Sequence, residues 1–171
     1  RSGSRADEVS PPKHDGAAER RASGWLPLGW QPAEWQIAKD ILRILANDSA
    51  LMVRAALAEQ IADLDVVPRE VALRLARDQD EAALPILGRS PVLEDEDLLG
   101  LIVGSSLPRL LAIAGRSGLS EAVASALVEV DEIDVIERLL ANGSADLGIE
   151  VLGKIVRRVG AIEEVQLSLA R

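Results

Sequence analysis

The 171 residues, 48% of them hydrophobic, suit one domain with a sizeable core plus a tail, and the absence of Cys excludes disulfides and thiolate chemistry. The only His, His14, lies in a polar leader, which leaves the rest of the chain without an imidazole base or a Cys/His metal set. The net charge is −9, with residues 1–24 at +1 and the remainder at −10, and a phosphate backbone repels such a surface.

Phe and Tyr are absent and three Trp carry all the aromatic area, so the core is built from Leu, Ile, Val and Ala. That palette favours helices over sheets. Residues 1–24 are rich in Ser, Gly, Pro, Ala and charge, too polar to offset their ordering entropy, and read as a disordered tail. Residues 25–36 hold Trp25, Trp30 and Trp35 with Pro27, Pro32 and Gly29, just after Gly24; they read as a segment folding over an open first helix pair, or else as a docking motif. Residues 37–171 read as a helical repeat domain.

Pro32 suits a first helical position, and Ile37, Ala38, Ile41, Leu42 and Leu45 follow at helical spacing. Breaks then recur at Asn47–Ser49, Asp65–Pro68, Asp78–Asp80, Ser90–Leu93, Gly104–Ser106, Gly115–Ser120, Val130–Asp131, Asn142–Ser144 and Gly160. They predict about ten helices of one to four turns. The stretch from Leu98 to Ala114 is the most apolar; burial is expected for Leu98–Val103, and partial exposure for Leu107 or Leu110, as a patch for a partner or a second copy of the chain. It falls short of a membrane span, and no apolar core follows the N-terminal charges as in a signal peptide.

The sequence also repeats. Leu45-Ala46-Asn47-Asp48 returns thirty positions on as Leu75-Ala76-Arg77-Asp78, and more weakly as Leu140-Ala141-Asn142-Gly143. Asp48-Ser49-Ala50-Leu51-Met52-Val53-Arg54 resembles a HEAT repeat. The resemblance implies that Asp48 and Arg54 belong to a ladder between stacked repeats, incomplete in the second copy because Leu84 stands where the Arg falls. Leu75–Asp78, Ala83–Leu87, Ser90–Leu93, Asp95, Asp97-Leu98, Leu111–Ala114 and Leu119–Val123 together resemble an alphaproteobacterial family known as domain of unknown function 2336, over about residues 37–157. That resemblance implies a HEAT-like helical fold and brings no activity, cofactor or catalytic residue. The chain departs from it at Gly115 and Gly118, where Arg and Pro or Asn are expected. The expected fold is therefore all-α, a short α-solenoid of about five HEAT-like helix pairs.

Candidate sites have plain alternatives. Glu94-Asp95-Glu96-Asp97 is a metal cluster in one reading, but a helix N-terminus explains it better. Glu129, Asp131, Glu132, Asp134 and Glu137 read as a solvated face. Gly115-Arg116-Ser117-Gly118 imitates the loop of KH domains without their strands, and Gly100…Gly104-Ser105 lacks the Lys of a phosphate loop. Asp48 is expected to cap the second helix and to pair with Arg54 or a neighbouring Arg, with Asp78 its repeat equivalent.

The leading expectation is a non-catalytic protein–protein interaction scaffold or regulatory adaptor in the cytoplasm. It takes no cofactor, metal, nucleic acid or membrane insertion. Its partner is another protein, or a second copy in a homodimer, met through Leu107, Leu110, Trp25 or Trp30. The alternatives are a nucleic-acid-binding HEAT-like domain, disfavoured by charge and by the sparseness of Arg69, Arg74, Arg77, Arg157 and Arg158, and a carboxylate-dependent enzyme, disfavoured by the missing His, Cys and Tyr.

Overall fold

The computed structural model describes residues 31–169, with side chains described as far as 160. Its described residues form nine helices and no strand: α1 Pro32–Ala46, α2 Leu51–Ile61, α3 Arg69–Ala76, α4 Asp80–Arg89, α5 Asp95–Ile102, α6 Leu107–Ala114, α7 Glu121–Glu129, α8 Ile133–Ala141 and α9 Ile149–Leu169. The chain is all-α, as composition predicts.

Local chemistry sets the boundaries. Pro32 opens α1, and the N–H of Gln31 donates to the Glu34 carboxylate at 2.8 Å. Asn47 closes α1 by donating to the Arg43 carbonyl at 2.8 Å. Ser120 caps α7, its hydroxyl accepting from the N–H of Val123. Gly104 and Gly118 turn the chain with positive φ, a conformation glycine adopts freely. One expected break does not occur: α9 runs straight through Gly160 for 21 residues. A lone Gly weakens a helix by about 1 kcal/mol, too little to stop one.

Most successive helices pack on one another, and most also pack on the helix two places on. The helices α2, α4, α6 and α8 form one continuous layer; α1 and α3 lie together in the second, as do α5, α7 and α9. The core between the layers is aliphatic. Leu75, Ile86, Leu87, Leu110, Ile113, Leu127 and Leu139 are fully buried, and Ala58, Ala72, Ala76, Ala83, Ala114 and Ala124 let the helices approach closely. Each large side chain buried this way stabilises the fold by about 1.5–3 kcal/mol.

Partial exposure, expected of Leu107 or Leu110, falls to Leu107, and the expected burial of Leu98–Val103 needs correcting at its end. Leu110 is 1% exposed; it lies on the inner side of α6 with Ile113 and Ala114, so the apolar composition of α6 reflects core packing there. Leu107 is half-buried and packs against that core. Conversely, Leu98 and Ile102 are buried as expected, but Val103 follows the last residue of α5 and is 83% exposed. At the start of the array, Ile37, Ile41 and Ile44 of α1 face outward. Trp25 and Trp30 lie outside the described residues; Trp35 is half-buried, with the Lys39 ammonium over its ring.

Candidate interaction surfaces

A row of arginines ties each turn of the array to the next. Arg54 on α2 is buried and puts Nε and Nη2 on the Asp78 carboxylate, at 2.5 and 2.9 Å, while its Nη1 donates to the carbonyls of Asp48 and Ser49. The fork geometry of the guanidinium makes this two-pronged grip possible. The Arg54 guanidinium is the main reason the Asp78 carboxyl is held down to about 2.

The expected pairing of Asp48 with an Arg is corrected accordingly. Arg54 takes the backbone carbonyl of Asp48, and its ion-pair partner is Asp78. The Asp48 carboxylate instead accepts from the N–H of Ala50 at 2.7 Å, closing a turn just ahead of α2.

The row continues without the missing arginine at Leu84. Arg109 on α6 reaches back to the Asp80 carboxylate at 2.6 Å and to the Asp78 carbonyl. Arg116, buried, donates to the carbonyls of Leu87 and Ser90, both at 2.7 Å, and burial lowers its pKa. The KH-like loop is thus turned inward, its arginine spent on backbone. Asn142 repeats the motif, one amide nitrogen donating to Ala114 and Arg116 carbonyls at 2.9 and 2.7 Å. A second, more exposed row links Arg43 to Glu70 and Arg69 to Asp97, both at 2.7 Å.

The acidic runs resolve into the same pattern. Asp97 accepts from the Glu94 N–H at 3.0 Å and pairs with Arg69, which chiefly lowers its pKa. Glu129 pairs with Lys154 at 2.7 Å, and Asp131 with Arg158. Among the described residues no group of three or more acids is arranged to hold a metal ion. The described residues line open clefts, two of which carry charged side chains. One of about 510 Å³ lies between Arg77, Asp80, Gly104 and Arg109; the other, about 650 Å³, lies between Glu121, Ser125 and Glu150. In the first, Asp80 and Arg109 already neutralise each other.

Exposed large apolar side chains are scattered along the described residues, Met52, Val103 and Leu140 among them, but on the last helix they line up. On α9, Ile149, Leu152, Val156 and Val159 are exposed by 90, 42, 71 and 42%. They recur at steps of three and four residues, so they form one stripe along the helix. Val151 and Ile155, on its other side, are buried against the array. No helix of the described residues is long and apolar enough to cross a membrane.

A family model described as "Uncharacterised protein conserved in bacteria (DUF2336)" matches residues 82–171, just over half the chain, from α4 through α9. Residues 37–81 of the expected resemblance lie outside that match. No curated protein and no solved structure matches the chain.

Proposed function

The chain belongs to the DUF2336 family, and we propose that it is a non-catalytic interaction scaffold: a short solenoid of HEAT-like helix pairs that docks another protein in the cytoplasm. The observation that carries this reading is the exposed stripe Ile149, Leu152, Val156 and Val159 on the last helix. Water-exposed apolar side chains aligned on one helix face gain free energy only when something covers them. The repeat reading draws support from the packing of helices on those two places on, and from polar contacts that bridge 24 to 31 residues, close to the thirty-residue period of the sequence.

Nucleic acid is a poor occupant of such a surface. Arg43, Arg54, Arg69, Arg74, Arg89, Arg109 and Arg158 are each engaged by a carboxylate of the chain itself, which leaves little cation for phosphate. The test is affinity purification of the full chain from its native host, wild type beside Val156→Glu, with mass spectrometry. A protein retained by the wild type and lost from the variant, whether a foreign protein or an untagged copy of the chain itself, is expected. Identical sets from the two would overturn the reading.

A further inference from the structure

We infer that the occupant of the α9 face is the same face of a second copy, the two α9 helices lying antiparallel about a two-fold axis. This deepens the scaffold reading and rests on it.

Three features of α9 lead there. The first is the stripe itself, whose three-four-three spacing is that of a helix–helix seam. The second is its border. On the side away from the array the stripe is flanked by Gly153 and Gly160, and a Cβ at either would meet nothing within 4 Å. The face therefore presents four aliphatic side chains beside two bare stretches of backbone, with no charge among them, and another helix can come close.

The third feature selects the occupant. Beyond the glycines, Glu150 and Arg157 lie on the same flank, two turns apart, and neither is in an ion pair among the described residues. Their neighbours Lys154 and Arg158 are occupied by Glu129. An antiparallel pair centred on the middle of the stripe sets Ile149 against Val159 of the second copy and Leu152 against its Val156. The same registry sets Glu150 against Arg157 of the second copy, twice over by symmetry. A two-fold interface requires a surface complementary to itself, and this flank, acidic at one end and basic at the other, is so. A parallel pair would bring this charged flank beside the opposite flank of the partner, where Val151 and Ile155 are already buried against the array.

The area offered by four side chains is modest beside the roughly 800 Å² per partner of a standard interface, so the dimer is expected to dissociate in the micromolar range. Sedimentation of the full chain from low to high micromolar concentration, at 150 mM salt, reads this directly. A reversible monomer–dimer equilibrium is expected, and Val156→Glu should abolish it while leaving the helical dichroism intact. Glu150→Arg and Arg157→Glu should each weaken the dimer about ten-fold. Mixed in equal amounts, those two variants should associate with each other, since the swapped charges then meet their opposites.

A chain that stays monomeric at high micromolar concentration overturns the inference, as does a dimer indifferent to Val156→Glu. A mixture of the two charge variants that associates no better than either alone overturns the antiparallel arrangement. A monomeric chain that still loses a foreign protein on Val156→Glu refutes the self-association and leaves the scaffold reading standing.

Discussion

The guanidinium of Arg138 on α8 lies over the backbone of Gly115, its Nη2 standing 2.6 Å from where a Cβ at that position would be. Gly115 thus makes room for a side chain two helices later. The neighbouring Gly118 matters for a different reason, a φ of +67° with open space around it.

The two glycines should respond differently to substitution. Gly118→Ala forces a side chain into the left-handed region and is expected to cost about 1–2 kcal/mol, with Gly118→Asn milder. Gly115→Ala displaces only the end of a flexible arginine and is expected to cost less. Urea denaturation of the three variants checks the order.

Acid should weaken the link between Arg54 and Asp78. The folded pKa of Asp78, about 2, lies below the ordinary carboxylate value near 3.9. Its contribution to stability is therefore fully present above that ordinary value and is lost as the pH falls toward 2. Asp78→Asn is expected to lower the urea midpoint at pH 7 and to flatten its fall between pH 4 and pH 2. A variant whose midpoint tracks the wild type across that range would show that the pair contributes nothing.

Leu110 and Leu107 should part company. Leu110→Ala empties a fully buried site and is expected to cost about 2–5 kcal/mol, whereas Leu107→Ala, at a half-buried site, should cost clearly less. Thermal melts of the two variants decide it, and equal losses would contradict the placement of Leu110 in the core.

Arg116 should not be replaceable by an apolar side chain of similar length. Arg116→Met leaves the carbonyls of Leu87 and Ser90 without a donor, at about 1–3 kcal/mol for each buried group left unpaired. Arg116→Lys should recover part of the loss, because an ammonium can serve one carbonyl well and two only poorly. A Met variant as stable as the wild type would mean that the carbonyls find other donors.

The helical class was legible because Leu and Ala dominate and polar breaks recur at helical lengths; α1 begins at Pro32 as that residue announces. The thirty-residue period made Asp78 the equivalent of Asp48, which the HEAT resemblance set in a ladder with Arg54; the period did not single out Asp78 and Arg54 as a pair. It could not say that they contact each other, because a period aligns equivalent positions and this pair joins positions that are not equivalent. Arg116 and Asn142 are held by backbone carbonyls, which leave no signature in a sequence, and Arg109 joins a carbonyl to the Asp80 carboxylate, again across positions that are not equivalent. The sequence could not choose between Leu107 and Leu110, because a helix that reads as apolar on all sides does not reveal which side meets its neighbours.

The packing of most helices on those one or two places along the chain has a kinetic consequence. The tertiary polar links described above bridge only 24 to 31 residues, so loops closed during folding are short and their entropy cost is small. A chain organised this way has no obligatory nucleus: any adjacent pair of turns can form first and the rest can zip outward from it. Folding should be fast for a domain of this size, and its rate should be less sensitive than its stability to a substitution in any one turn. Unfolding should proceed by peeling from either end, so amide hydrogens of α1 and α9 should exchange before those of α4 and α6, whose neighbours on both sides hold them in place.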